Sequence, residues 1–223
     1  MARYDRTKLI HPRIIVCEGS SDEAFFRALI KARGLPEFCI RSPIDIQLAG
    51  ISNIGKTIAS LKAATGFFDV VDIVVVVDSD DDPNANFLDI VDQIKKLSDP
   101  LFSPPENLMM RGQSTPAITI ATLPSAVAPG NLETFCYPVA LAANPVLAVH
   151  VEDFVNKSGV LNWPNQQKQA KARLSSLLAV ARHQHPGMTL GKVWIEHPDT
   201  VPLNHPAFDE LANFLSGFAA PAE

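Results

Sequence analysis

The chain has 223 residues, of which 47% are hydrophobic, and a formal net charge of −5 at pH 7. That apolar fraction is enough for a substantial core, and the acidic balance argues against a protein that coats nucleic acid non-specifically, although a local basic groove is compatible with it. Three widely spaced cysteines, Cys17, Cys39 and Cys136, favour buried thiols in a reducing compartment over a disulfide framework or a zinc site. Because the sequence shows no apolar leader and no apolar run of membrane-spanning length, we expect a cytoplasmic protein without a membrane partner.

Short apolar runs alternate with helical patterns in the first part of the chain. Residues 13–17 predict a first strand, which ends at Glu18-Gly19, and a capped helix follows as far as Gly34. Residues 43–48 alternate apolar and polar side chains, which predicts a half-exposed strand. A second helix is expected over residues 54–64.

Residues 73–82, IVVVVDSDDD, form the most informative stretch. Five apolar residues lead directly into four acidic residues that are interrupted only by Ser79. Such a short, β-branched run predicts a strand that is buried on both faces, as in a parallel sheet covered by helices. On an extended chain Asp78 and Asp80 project to the same side. A simpler interpretation is an acidic turn in which Asp82 caps a helix that begins at Pro83.

The remaining elements complete an α/β pattern, which then gives way to helices. A helix is expected near residues 84–97, a strand at 117–123, and another helix from Leu132 onward. Further helices are expected over 145–159, 166–183 and 206–218. The sequence therefore predicts an α/β, Rossmann-like core over residues 10–143, with a mostly parallel sheet flanked by helices. A helical C-terminal extension over residues 144–223 is expected to pack on this core.

Acidic side chains follow two of the predicted strands. Glu18 comes after the first strand, and Asp78 and Asp80 come after the central strand. The carboxyl ends of parallel strands meet at one edge of a sheet, where ligands collect. Carboxylates held close together repel each other unless a cation lies between them, and ligand sets made only of oxygen suit Mg²⁺ or Mn²⁺. We therefore expect a Mg²⁺ or Mn²⁺ site at this edge.

These motifs resemble the TOPRIM fold, the catalytic module shared by topoisomerases, bacterial primases, ribosomal RNA maturases and OLD-type nucleases. The resemblance covers roughly residues 13–137 and rests on Glu18-Gly19, on Asp22 four residues after Glu18, and on the D-x-D-x-D repeat after the valine-rich strand. The segment Gly130–Glu133 is similar to the Gly-x-Leu-Glu stretch of small stand-alone TOPRIM proteins with OLD-like sites. The resemblance implies a TOPRIM-like core and metal-dependent cleavage of phosphodiester bonds in DNA or RNA.

The resemblance also implies a role for each acid of the central motif. Asp78 and Asp80 would be metal ligands, and Asp82 would be a further or water-mediated ligand. Glu18 would be a metal ligand or the general acid/base. With one or two Mg²⁺ ions on such a cluster, the phosphoryl oxygens are stabilised and the nucleophile is activated.

Two more acids would belong to a second metal position of the OLD type, namely Asp22 and Glu133. For both residues the sequence also allows a purely structural role. Each is expected in the first turn of a helix, where a negative charge interacts favourably with the helix dipole.

Two other functions remain open at this point. The segment Gly50–Thr57 matches the P-loop pattern G-x-x-x-x-G-K-[ST], in which backbone N–H groups and Lys56 would bind nucleotide phosphates and Asp78 would be a Walker B acid. The strand expected before this loop is half exposed, whereas a P-loop strand normally lies in the buried centre of a sheet. The third alternative is a non-catalytic TOPRIM binding module, acting with a protein partner or as a homodimer.

Overall fold

The computed structural model describes residues 5–219, which contain a four-stranded parallel sheet with the strand order β2-β1-β3-β4. The strands are β1 (Arg13–Val16), β2 (Cys39–Arg41), β3 (Asp72–Asp78) and β4 (Ala117–Leu123). The α-helices are α1 (Ser20–Arg33), α2 (Ile54–Ser60), α3 (Pro83–Lys96), α4 (Leu132–Ala143), α5 (Pro145–Lys157), α6 (Gln166–Ala181), α7 (Leu190–Glu196) and α8 (Asp209–Ser216). This arrangement confirms the predicted α/β class with a parallel sheet flanked by helices.

Strand β3 lies inside the sheet and is covered on both faces. Val74 and Val76 belong to an apolar cluster that includes side chains of α1 and α4. Val75 and Val77 belong to a second cluster, on the opposite face, that includes side chains of α2 and α3. Burial on both faces accounts for the unbroken valine run, because neither face of the strand needs polar side chains. The predicted central strand is confirmed.

The strand predicted over residues 43–48 is wrong. Residues Pro43–Ile46 form a short 3-10 helix, and Gln47 ends it with a left-handed φ of 59°. Pro43 suits the first turn of a helix because its missing N–H needs no partner there. The polar side chain of Asp45 is turned inward, with 10% of it exposed, next to Arg6 and Arg41. The alternating pattern therefore came from a buried ion pair rather than from a half-exposed strand.

The C-terminal helices share one core with the sheet. Leu174 of α6, Trp194 of α7 and Leu211 of α8 lie in the same apolar cluster as Ile15 of β1 and side chains of β3. The predicted boundary between residues 143 and 144 remains a prediction, and residues 220–223 of the predicted extension lie outside the described residues. Within the described part of the chain, no helix combines the length and the apolar character that crossing a membrane requires.

Helix α7 was not predicted from the sequence. Leu190, Val193 and Trp194 have the i, i+3, i+4 spacing of a buried helical face, but the helix spans only seven residues. Gly191, at its start, lies against α1. A Cβ atom at this position would be 3.4 Å from Ser21 Cα and 3.4 Å from the Ala24 Cβ. The small residue allows the two helices to approach closely.

Candidate functional site

Two acidic side chains lie where neighbouring strands end. Glu18 follows β1, and Asp78 is the last residue of β3, the strand that pairs with β1. The backbone N–H of Asp78 donates a hydrogen bond of 2.8 Å to Glu18 Oε1. The ends of the two strands therefore hold these carboxylates side by side at the carboxyl edge of the sheet.

Two helix starts add further carboxylates to the same place. Asp22 lies in the first turn of α1 and Glu133 in the first turn of α4. The backbone N–H of Leu132 donates to Asp78 Oδ1 at 3.0 Å, which fixes the start of α4 at the end of β3. Glu18, Asp22, Asp78 and Glu133 together line a cavity of about 320 Å³, which we call the acidic cavity.

Burial raises the pKa values of all four acids, and repulsion between like charges adds to this effect for Glu18, Asp22 and Asp78. Burial is the largest cause throughout, and it raises the pKa of Glu18 to about 7 and that of Asp22 to about 6. The pKa of Asp78 rises to about 9, because repulsion from the other three acids adds to its burial. Burial also raises the pKa of Glu133. Buried carboxylates that lie close together are stabilised by binding protons or a cation, since either one relieves the repulsion between them.

Helix α6 places one positive charge at the acidic cavity. Lys171 lines the cavity, and its Nζ lies 4.0 Å from Glu133 Oε1. Its charge lowers the pKa values of Glu18, Asp22 and Glu133 and so opposes the larger effect of their burial. Lys171 could not be predicted from the sequence, because a lysine on an exposed helix face carries no distinguishing signal. The packing of α6 against α4 brings it to the cavity.

Helix α6 also contacts the acidic turn after β3. Gln167 Nε2 donates a hydrogen bond of 2.9 Å to Asp81 Oδ1. Gln167 is 8% exposed, and its Oε1 has no hydrogen-bond partner among residues 5–219. Gln167 and Lys171 are four residues apart and therefore lie on the same face of the helix. This spacing is the one sequence signal that could have indicated a polar face on α6.

Asp80 lies beside the acidic cavity but does not line it. Asp80 has a φ of 48°, and its N–H and C=O both form hydrogen bonds of 2.8 Å with Gly130. The chain is not extended at Asp80, so the conformation from which we expect Asp78 and Asp80 to project to the same side is not the one found. The exposed carboxylate of Asp80 is nevertheless close enough to Glu18 to contribute to the raised pKa of that residue. Its assignment as a metal ligand remains a prediction.

Asp82 caps helix α3, as the simpler interpretation of the acidic turn predicts. Its side chain caps α3 and accepts a hydrogen bond of 2.9 Å from the Asn84 N–H. Asp82 is exposed and does not line the acidic cavity. A water-mediated contact from Asp82 to a metal remains a prediction.

The acidic cavity offers the donor atoms that a hard cation prefers. Its four acids supply carboxylate oxygens, which suit Mg²⁺ and Mn²⁺. Within residues 5–219, no three His, Cys, Asp or Glu side chains lie close enough together to hold an ion by themselves. Mg²⁺ commonly uses one or two carboxylates and takes its remaining ligands from water and substrate oxygens. The cavity therefore fits an ion held by one or two of these acids with water.

Two donor groups of the segment Gly50–Thr57 already have partners within the protein. The backbone N–H of Gly55 donates to the side-chain oxygen of Gln93 at 2.9 Å. Lys56 Nζ donates to the side-chain oxygen of Asn53 at 3.1 Å. A phosphate cradle needs free backbone N–H groups turned toward the ligand. These contacts give the nucleotide-binding alternative no support.

The fold and the acidic cavity define an α/β protein with clustered carboxylates at the carboxyl edge of a parallel sheet. Over residues 12–219 the sequence matches the model of a family that is described as a protein of unknown function, DUF3226. The chain belongs to this family. Neither the curated proteins nor the solved structures contain a match to the chain.

Proposed function

We propose that this chain is a TOPRIM-like protein that cleaves phosphodiester bonds of DNA or RNA with Mg²⁺ or Mn²⁺. The observation that carries the proposal is the convergence of Glu18, Asp22, Asp78 and Glu133 in one cavity at the carboxyl edge of a parallel sheet. The resemblance of the Glu18-Gly19 and D-x-D-x-D motifs to TOPRIM proteins supports it from the sequence. The two motifs follow adjacent strands, as a shared site requires.

The proposed reaction needs charge stabilisation and an activated nucleophile. A bound Mg²⁺ or Mn²⁺ would stabilise the charge on the phosphoryl oxygens and lower the pKa of a bound water. Asp78 would hold one ion together with water, and Asp22 and Glu133 would hold a second. Lys171 would partly offset the negative charge that a phosphate meets on entering the cavity.

Glu18 is the candidate for proton transfer. Its Oε1 is already hydrogen-bonded to the backbone of Asp78, which fixes the orientation of the carboxylate. That bond leaves Glu18 Oε2 to accept a proton from an attacking water. Asp80, exposed next to this carboxylate, would act on the substrate side of the site.

The first test is metal binding, measured by calorimetric titration of Mn²⁺ into the wild type and Asp78→Asn. We expect binding by the wild type and at least about tenfold weaker binding by the variant, because Asn is a poor ligand for a hard cation. Asp92→Asn is the matched control, since Asp92 is an exposed acid on α3, away from the acidic cavity. Equal Mn²⁺ affinity in Asp78→Asn and the wild type would contradict the proposed site.

The second test is cleavage of labelled single- and double-stranded DNA and RNA by the same three proteins. We expect cleavage that requires Mg²⁺ or Mn²⁺ and is lost in Asp78→Asn but retained in Asp92→Asn. Undiminished cleavage by Asp78→Asn would refute the catalytic assignment. Metal binding without any cleavage would instead favour the non-catalytic module. ATP binding that Lys56→Ala abolishes would favour the P-loop alternative.

A further inference from the structure

A further cavity lies at the opposite edge of the sheet from the acidic cavity. It has a volume of about 520 Å³, and Arg13 and Asp72, the first residues of β1 and β3, lie in its wall. Because β3 is seven residues long, its start and its end are about 20 Å apart. The two cavities are therefore separate. We call this one the amino-edge cavity.

The charges in the amino-edge cavity do not balance. Arg13 is opposite Asp72 in the register of the paired strands. Asp72, however, is held by another residue, since Arg111 Nε donates a hydrogen bond of 2.6 Å to Asp72 Oδ1. The Nε of Arg13 is buried and has no hydrogen-bond partner among residues 5–219. One guanidinium at the cavity is thus left without a counter-charge in the described part of the chain.

The rest of the cavity wall is mainly apolar. Phe214 and Phe218 pack edge to face, with ring centroids 5.3 Å apart, and Val71 lies in the same wall. Binding sites for small molecules are typically apolar cavities of several hundred Å³ with a few polar groups that fix the ligand's orientation. An unpaired arginine beside aromatic rings meets this description. A guanidinium binds carboxylate and phosphate groups with two parallel hydrogen bonds.

We propose that the amino-edge cavity binds a small organic anion, with a carboxylate or phosphate head group on Arg13 and an aromatic or aliphatic body against Phe214 and Phe218. The anion supplies the counter-charge that the Arg13 guanidinium lacks among residues 5–219. A hydrogen bond between two charged groups is stronger than one between neutral groups, so the anionic head group should contribute much of the affinity. The site does not depend on a metal or on the proposed cleavage activity.

The test uses three probes with the same phenyl body. These are 4-phenylbutyrate, 4-phenylbutyl phosphate and the neutral 4-phenylbutan-1-ol, each titrated into the ¹⁵N-labelled full chain. We expect an anionic probe to shift the amide signal of Gly217, in the wall of the amino-edge cavity, and to leave that of Gly19, in the acidic cavity, unchanged. The alcohol should bind at least about tenfold more weakly, because it cannot pair with a guanidinium.

Arg13→Gln removes the charge and leaves a shorter, neutral polar side chain. It should weaken binding of the anionic probe about tenfold or more, while Lys157→Gln, which removes an exposed charge on α5, should have no effect. Phe218→Ala tests the apolar wall independently and should also weaken binding. Comparing the affinities of 4-phenylbutyrate and 4-phenylbutyl phosphate identifies the preferred head group. The proposal is overturned if neither anionic probe binds to the wild type, or if each anionic probe binds to Arg13→Gln as tightly as to the wild type.

Discussion

Asp78 connects the end of β3 to both Glu18 and the start of α4 in the acidic cavity. As the last residue of β3 it accepts a hydrogen bond from the start of α4 and donates its backbone N–H to Glu18. Its carboxylate is also the acid whose pKa rises furthest, because it is buried among the other three. Ionising these groups together costs folding free energy in the absence of a cation, so the cavity is held together by its backbone contacts and the surrounding core.

The metal-free protein should lose stability as the pH rises from about 4 to about 9. The pKa values of Asp78, Glu18 and Asp22 are raised in the folded state to about 9, 7 and 6, from ordinary values of 3.8, 4.5 and 3.8. In this range the folded chain binds more protons than the unfolded chain, so the free energy of unfolding falls with increasing pH. Urea unfolding at pH 5 and pH 8, in the presence of a chelator, measures the difference.

Asp78→Asn should reduce this pH dependence. An asparagine keeps an oxygen to accept from the Leu132 N–H but carries no charge, so we expect about 1–3 kcal/mol more stability than the wild type at pH 8 and little difference at pH 4. Asp92→Asn is again the control. If the free energy of unfolding of Asp78→Asn falls with increasing pH as steeply as that of the wild type, the ionisation of Asp78 is not the source of the pH dependence.

The residues of the acidic cavity can be predicted from the sequence better than the turn beside them. Positions at strand ends and helix starts, together with the family resemblance, indicate Glu18, Asp22 and Asp78, and the structure places these residues in one cavity. The conformation of Asp80 could not be predicted in this way. Its left-handed φ accompanies a backbone bridge to Gly130, and such a pairing between distant segments leaves no local signal.

At the level of elements, α6 connects the C-terminal region to the site. Through Gln167 it contacts the acidic turn, and through Lys171 it reaches the acidic cavity. The sequence predicted this helix but not what it contacts, because its polar residues look like an ordinary solvent-facing surface. The same limit applied to residues 43–48, where the inward-facing Asp45 mimicked the pattern of a strand.

Gln167→Ala should loosen the acidic turn. Loss of the hydrogen bond to Asp81, worth about 1 kcal/mol, should weaken Mn²⁺ binding about fivefold and speed amide hydrogen exchange in residues 79–82. Gln166→Ala is a closely matched control, because the neighbouring glutamine is exposed. If both variants behave alike, the contact between Gln167 and Asp81 does not position the turn.

At the level of the whole molecule, the sheet and the C-terminal helices should unfold together. Trp194 of α7 packs on Phe25 of α1, with ring centroids 5.3 Å apart, inside the cluster that covers one face of the sheet. Although the sequence suggested an extension from residue 144 onward, it could not show that the extension supplies part of the core. The helical pattern shows which face of a helix is buried, but it does not show which other element packs against that face.

Trp194→Ala should therefore destabilise the entire chain by about 3–5 kcal/mol, with a single cooperative transition in denaturant. Trp163→Ala is the comparison, since Trp163 is 45% exposed and Trp194 is 6% exposed. We expect a loss of less than about 1 kcal/mol for that variant. Separate transitions, followed by circular dichroism and by fluorescence of the remaining tryptophan, would show that the helical region folds independently of the sheet.

The close contact between α7 and α1 lies next to one acid of the acidic cavity. Gly191 touches Ser21, the residue next to Asp22 in the first turn of α1. An alanine adds a methyl group that just reaches contact distance, whereas a valine or leucine at position 191 would press on the first turn of α1. Side-chain volume at one position on the far side of a helix would then change the spacing of the carboxylates without any new contact in the cavity. Position 191 is accordingly a place where affinity at the acidic cavity could be tuned by size alone.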